Sequence, residues 1–202
     1  MSAGELRPAN PYVCDPVSVE AVLRSEECAE LLASIPEGAW KPAVVVSRSH
    51  EDPEQMIVRR DDAVRTADEY PAPFAEQPWV LDRVADVIRE VDKRRFSYDL
   101  VGWPGSDPPV LLRYRSSEGG HFELHSDLGR GHSTRKLSFS LQLSSPSDYQ
   151  GGVLEFPRIG ELASRALGSV TIFPSFLPHV VHPVTAGVRV VLVGWFHGPA
   201  FR

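Results

Sequence analysis

Apolar residues along the chain recur at intervals of three and four in two stretches, and from Val110 onward at intervals of two. In the first stretch Val22, Leu23, Cys28, Leu31 and Leu32 share one side of a helix, with Asp15 or Ser25 available as its N-cap and Pro36-Glu37-Gly38 as its stop. In the second, Val80, Leu81, Val84, Val87 and Ile88 form the buried stripe of a helix that begins at about Phe74 or Pro78 and ends at Arg94. Between them the run Ala43-Val44-Val45-Val46 predicts a strand over 40–47, and the charged segment 48–55 an exposed loop. Beyond Val110 the alternation predicts strands over 110–114, 121–125, 136–144, 152–156, 169–173, 180–184 and 188–196, separated by turns rich in Gly, Pro, Ser and Asp. Helices followed by short, regular strands predict an α+β fold: a jelly roll of two sheets, with the N-terminal helices packed on one of them.

Length and charge narrow the picture. A chain of 202 residues suffices for one core, burying roughly 70% of the surface that the unfolded chain exposes. The expectation is a single domain over 1–202, with 1–109 as a helical support region and 110–202 as the jelly-roll core carrying the site. Acidic residues outnumber basic ones 27 to 21, the formal net charge is −6, and no Lys/Arg block stands out. Nucleic acid is therefore not expected as a partner, since its binding draws on cations placed against phosphates. Cys14 and Cys28 are too few for a disulfide framework and lack metal-ligand spacing, which suits a reducing cytoplasm. The segment Met1 to Asn10 carries no apolar core of a signal peptide. No window approaches the ~18 continuous apolar residues of a membrane span.

Candidate chemistry concentrates in the second half. In Gly119-Gly120-His121-Phe122-Glu123-Leu124-His125-Ser126-Asp127, an imidazole and a carboxylate stand two residues apart and so point the same way from a strand end. A third ligand is available in Phe173-Pro174-Ser175-Phe176-Leu177-Pro178-His179. Two His and one carboxylate make a facial triad suited to Fe(II), with coordination positions left open. His182 competes with His179, but the two have opposite parity on one strand and cannot both face an ion. His50, His121, His132 and His197 read as solvated or edge residues. Arg189 follows His179 by ten residues, across a Pro- and Gly-containing turn, and opens the apolar run Val190 to Phe196. A strand, a turn and a returning strand would bring both to one pocket, where a guanidinium can grip a carboxylate by two parallel hydrogen bonds. In 137–144, Phe139, Leu141 and Leu143 share one face and Ser138, Ser140, Gln142 and Ser144 the other. With helices over the apolar face, the polar one points into the barrel, and Gln142 and Tyr114, with Thr185, become candidate hydrogen-bonding partners of a bound acid. A solvent-exposed polar face is the other reading.

These motifs carry a resemblance. The stretch Thr134-Arg135-Lys136-Leu137-Ser138-Phe139-Ser140-Leu141-Gln142-Leu143-Ser144, then Asp148-Tyr149-Gln150-Gly151-Gly152-Val153-Leu154-Glu155-Phe156, and Pro174-Ser175 through Pro183-Val184-Thr185 to Trp195, resembles the PKHD-type hydroxylases, prolyl 4-hydroxylase-like members of the 2-oxoglutarate/Fe(II) dioxygenases. The resemblance implies a double-stranded β-helix with Fe(II) held by His125, Asp127 and His179, and 2-oxoglutarate held at its C5 carboxylate by Arg189. It gives the ligand role to His179 rather than His182, and it implies dioxygen as co-substrate, with succinate, CO2 and a hydroxylated C–H bond as products. The expected partner is a small molecule or a peptide: an amino acid, a peptide or a peptide-derived natural product. Arg130, His132 and Arg135, with the charged loop near Glu51, are candidates for the entrance. Glu51, Asp52, Glu54, Asp61, Asp62 and Glu118 leave room for a cationic substrate. The alternative is a cupin-like metal-binding protein, an isomerase or sensor, which would use the triad without needing Arg189.

Overall fold

The computed structural model describes residues 13–36, 38–48, 55–71 and 77–201. Glu37, His50, Glu51, Asp52, Glu54 and Phe74, which figured in the sequence reading, lie outside the described residues, as do the first ten. In chain order the elements are β1 (Val17–Val19), α1 (Ser25–Ala33), β2 (Lys41–Pro42), β3 (Val45–Arg48), β4 (Met56–Arg59), β5 (Arg65–Thr66), β6 (Asp68–Pro71), α2 (Pro78–Arg95) and β7 (Val110–Arg115), then β8 (His121–His125), β9 (Arg135–Gln142), β10 (Tyr149–Gly151), β11 (Leu154–Phe156), β12 (Glu161–Leu162), β13 (Val170–Pro174), β14 (His179–Val181) and β15 (Val184–His197).

Two antiparallel sheets face each other. The larger runs β1-β13-β9-β15-β7-β6-β2, with β10 also paired to β15, and the smaller runs β12-β11-β14-β8-β5; β3 and β4 form a separate ribbon. Alternation along the larger sheet builds two cores at once. Leu111, Phe139, Leu141, Ile172 and Leu192 point outward, onto Val80, Val84, Ile88 and Val91 of α2 and onto Cys28 and Leu31 of α1. Their neighbours Leu112, Phe173 and Val191 point inward, against Phe156 and Val181 of the smaller sheet. A one-residue slip of any of these strands would exchange the two faces, so the pattern fixes the register.

Several elements differ from the sequence reading for local reasons. Val22 and Leu23 are buried but precede α1, because Ala21 takes a left-handed φ of 54° and Arg24 is extended. Neither Asp15 nor Ser25 caps that helix. The Glu27 carboxylate instead accepts the Arg24 backbone N–H at 2.9 Å, the returning half of a capping box. The predicted strand over 40–47 is split into β2 and β3, one in the larger sheet and one in the ribbon. The region before Val110 also supplies strands: β1, β2 and β6 extend the larger sheet and β5 the smaller, pairings that two- to four-residue segments cannot announce by periodicity. α2 matches its prediction, with Pro78 in the first turn and Lys93, Arg94 and Arg95 in the last, where both residue types are favoured. Among the described residues no helix is long and apolar enough to cross a membrane.

Glu27 also joins the two helices. Beyond the Arg24 backbone it accepts from Arg24 Nη2 at 2.9 Å and from Arg83 Nη1, on α2, at 2.7 Å. The Arg24 side chain and backbone, with Arg83 behind them, hold its carboxyl down from an ordinary 4.5 to about 2. Because the folded value is depressed, the stabilisation is present in full above the unfolded pKa and is lost as pH falls through it toward the folded one. Glu27→Gln is therefore expected to lower Tm at pH 7, and the gap from wild type should close between about pH 4.5 and 2. A thermal melt series across that range reads it, and a gap independent of pH would contradict the assignment.

Candidate metal and 2-oxoglutarate site

Strand pairing brings the predicted ligands together. His179 on β14 is the register partner of His125 on β8, and a bulge follows before Val181 meets Phe122. Asp127 lies two residues past the end of β8, and the turn carrying it is tied to the segment before β14 by a hydrogen bond from Leu128 N–H to the Ser175 carbonyl at 2.9 Å. One nitrogen from each imidazole and one carboxylate oxygen lie within 4.8 Å of one another. His125 Nε2 stands 3.8 Å from Asp127 Oδ1, and His179 Nε2 3.6 Å from Asp127 Oδ2.

The surroundings fix which atoms are presented. His125 Nδ1 is 2.7 Å from the Glu123 carbonyl and His179 Nδ1 is 2.9 Å from the Leu177 carbonyl. Each carbonyl accepts a hydrogen bond from Nδ1–H, leaving the Nε2 lone pairs turned toward Asp127, the arrangement a metal-ligating histidine needs. Phe122 stacks on His125 with ring centroids 3.5 Å apart, and Phe173 meets His179 edge-on at 4.7 Å. Ser138 Oγ donates to Asp127 Oδ2 at 2.6 Å and lies 3.0 Å from Ser175 Oγ. Burial, and then the neighbouring His179, push the His125 imidazole down to about 4, so it is neutral at pH 7. Burial alone would raise Asp127, but His179, His125, the Ser138 hydroxyl and Arg135 outweigh it and the net direction is downward. A neutral His125 imidazole and an ionised Asp127 carboxylate are the protonation states a divalent cation requires, and with the His179 Nε2 beside them the donor set fits Fe(II).

His125, Asp127, His179, Tyr114 and Arg189 all line one cavity of about 510 Å³. Arg189 is 4% exposed and pairs by register with Tyr114 across β15 and β7. Its Nε donates to Gln142 Oε1 at 3.2 Å, and Gln142 Nε2 in turn donates to Tyr149 Oη at 3.1 Å and to the Ser144 carbonyl at 3.2 Å. Among the described residues no carboxylate pairs with Arg189. Burial lowers its pKa, with Tyr114 and Tyr149 opposing that shift. Gly152, at φ 60°, gives it room: a Cβ there would stand 3.1 Å from Arg189 Cδ and 2.8 Å from Val184 Cγ2.

Other candidates fall elsewhere. Gln142 is buried beneath Arg189 rather than on the cavity wall, and Thr185 is exposed and away from it. His182 is exposed and contacts Glu155. Arg135, expected in an entrance loop, starts β9 at 7% exposure, held by Asp107 at 2.7 and 2.8 Å and stacked over Trp195. His132 lines the cavity with it. Ser138 and Tyr149 were not singled out. The inward face of β9 pointed to the first, and nothing local pointed to the second.

Comparison with known proteins places this geometry. The signature of the 2OG-Fe(II) oxygenase superfamily matches residues 109–197. A PKHD-type hydroxylase of Crocosphaera subtropica is 38% identical over 190 residues, 90% of this chain and 78% of that protein. The chain belongs to the PKHD-type hydroxylase family. A second family member, from Hyphomonas neptunium, is 38% identical over 120 residues, 56% of this chain and 53% of its own length. The chain thus spans about half the length of the first curated relatives it matches. Among solved structures, a prolyl hydroxylase from Trichoplax adhaerens, in complex with a peptide fragment of the hypoxia inducible factor oxygen degradation domain, has a TM-score of 0.70 at 16% identity, covering 93% of this chain and 84% of its own. A viral collagen prolyl hydroxylase from Paramecium bursaria Chlorella virus-1 has a TM-score of 0.59 at 16% identity, covering 92% and 99%. Both share the fold of this PKHD-type chain, the double-stranded β-helix expected from its strand pattern. The 2OG-Fe(II) oxygenases use Fe(II), 2-oxoglutarate and dioxygen, and the His-Asp-His group offers ligands for the metal ion.

If this triad holds the ion, His125→Ala, Asp127→Ala and His179→Ala each abolish stoichiometric Fe(II) binding in anaerobic equilibrium dialysis, and His182→Ala retains it. Ser138→Ala should weaken binding about tenfold or more, because Asp127 loses the donor that orients it. Iron lost in His182→Ala but kept in His179→Ala would reverse the assignment.

Proposed function

We propose that this chain is a 2-oxoglutarate- and Fe(II)-dependent dioxygenase that hydroxylates a C–H bond of an amino acid, a peptide or a peptide-derived natural product, with His125, Asp127 and His179 as metal ligands and Arg189 as the anchor for 2-oxoglutarate. The observation that carries the reading is a buried guanidinium without an acidic partner among the described residues, in the same cavity as two imidazoles whose Nε2 atoms face a carboxylate. A buried cation left unpaired is costly, and the C5 carboxylate of 2-oxoglutarate supplies its missing partner. Family membership and the likeness to prolyl hydroxylases support the same chemistry and an amino-acid-derived substrate.

The residues divide the work. Gln142 holds Arg189 Nε and leaves the rest of the guanidinium fork for the C5 carboxylate, with Tyr114 beside it in register. That grip would set the depth of the co-substrate in the cavity it shares with the triad. Held by His125, Asp127 and His179, Fe(II) would supply the coupling of 2-oxoglutarate decarboxylation by dioxygen, to succinate and CO2, with placement of the second oxygen atom in a substrate C–H bond. Leu112, Phe173, Val181 and Val191 line the cavity with hydrocarbon and keep water from the reacting centre. The Glu123 and Leu177 carbonyls accept from Nδ1–H and so keep each Nε2 turned toward the metal position.

A charge-assisted pair contributes roughly 1.5–3 kcal/mol, so Arg189→Ala should weaken 2-oxoglutarate binding by about one to two decades in anaerobic calorimetry on the iron-loaded protein. Arg189→Lys should recover part of the loss, because charge remains without the fork. Unchanged affinity in Arg189→Ala removes this role. Absence of oxygen-dependent succinate formation by wild type counts against the dioxygenase itself.

A further inference from the structure

Most charged groups on the cavity wall already have a partner or a proposed task. Asp127 belongs to the triad, Arg189 to the co-substrate, and Arg135 and Asp107 neutralise each other at 2.7 and 2.8 Å. Arg65 has neither. It lies on β5, paired by register with Phe122 on β8, and its guanidinium sits over the Phe122 ring at 4.9 Å from the centroid. Phe122 stacks on His125. One aromatic ring therefore separates this cation from the imidazole of the triad. Arg65 Nη1 donates to the Val44 carbonyl at 3.2 Å, while its Nε is buried with no hydrogen-bond partner. Among the described residues no carboxylate forms an ion pair with it.

The acidic residues that left room for a cationic substrate have the opposite character. Asp61 is paired with Arg59 at 2.8 Å, Asp62 with Arg60 at 2.7 Å and Glu118 with Arg115 at 3.3 Å. None of the three lines the cavity. Charge neutralised within the protein cannot select a substrate, whereas an unmatched guanidinium beside a ligand cavity can. A buried N–H without an acceptor carries a desolvation cost until a ligand supplies one, and a carboxylate matches the planar fork. The same cavity has aliphatic lining at Val45, Val64, Val110 and Val193.

We infer that Arg65 anchors a carboxylate of the primary substrate, so that the substrate class is a small aliphatic acid such as a free amino acid, and not an internal residue of a polypeptide, which has no carboxylate at the backbone. The inference rests on the dioxygenase reading and names the substrate of that same site. The anchored carboxylate would fix the aliphatic body between Phe122 and the valine wall, with its C–H bonds toward the triad.

The test uses iron-loaded protein, kept anaerobic and saturated with 2-oxoglutarate so that Arg189 is occupied. The aliphatic L-amino acids are titrated as free acids, as carboxamides and as N-acetyl, N-methylamide derivatives that imitate an internal residue. Aerobic reactions are followed in parallel for succinate and for a gain of one oxygen atom. The expected result is that at least one acid binds about tenfold or more tighter than its amide and is hydroxylated. Arg65→Gln should abolish that preference and Arg65→Lys restore part of it. Equal binding of acid and amide, no binding of any acid, or a preference that survives in Arg65→Gln overturns the inference. Binding of 2-oxoglutarate, measured on the same preparation, separates the two readings. Protein that binds it but does not discriminate acids remains a dioxygenase with another substrate, while protein that cannot bind it loses both.

Discussion

The pairing of β8 with β14 is the constraint on which the site depends. His125 and His179 are 54 positions apart in sequence, and an antiparallel register sets them opposite each other in the smaller sheet. Side chains of paired residues in such a ladder stand a few ångströms apart by the geometry of the sheet. Two of the three proposed ligands are thus placed by backbone hydrogen bonds, and only Asp127, past the strand end, needs separate positioning. Ser138 provides it, from a strand of the opposite sheet. The proposed triad therefore sits on the smaller sheet but is braced from the larger one, and its geometry holds only while the two keep their spacing.

That spacing comes from the larger sheet, whose strands are buried on both faces. Leu111 faces α2 while Leu112 faces the cavity, and the same alternation recurs at Ile172 and Phe173 and at Leu192 and Val191. The helices do not touch the site, yet they remove water from one face, so that the other can carry Ser138, Gln142 and Arg189 against the smaller sheet. A polar residue on the inner face is tolerated because each finds a partner there: Asp127 for Ser138, and Arg189 and Tyr149 for Gln142. Apolar packing on one side thus permits polar chemistry on the other.

Much of this was legible in the chain. A period of two after Val110 and the H-x-D spacing carry the jelly roll and half the triad, because both depend on residues close in sequence. The strand over 121–125 has the predicted bounds, and the inward face of β9 was correct in its parity. Long-range pairing was not legible. Nothing near Val17 or Arg65 says that β1 joins β13 or that β5 joins β8, since two- and three-residue strands are set by their partners rather than by their own pattern. For the same reason Thr185, one residue after the predicted strand over 180–184 and in the structure part of β15, could not be told from an inward residue, and it is exposed. Ion pairs were equally hidden: Asp61, Asp62 and Glu118 read as an acidic surface until Arg59, Arg60 and Arg115 are seen beside them.

Gln142 shows how the site keeps a buried cation available. A glutamate at that position would place a carboxylate against Arg189, and an ion pair formed in low dielectric would compete with any acid brought from solution. An amide oxygen instead satisfies one guanidinium N–H without cancelling the charge, and the amide nitrogen is held by Tyr149 and the Ser144 carbonyl, so the oxygen cannot flip away. Arg189 is thereby oriented but not neutralised. Its desolvation remains partly uncompensated in the empty protein and is offset when a carboxylate enters. Arg65 follows the same logic with a backbone carbonyl, Val44, in place of the amide. Two guanidinium groups on one cavity wall, each steadied by a neutral acceptor, are where the proposed reading puts two carboxylates, one of 2-oxoglutarate and one of the substrate.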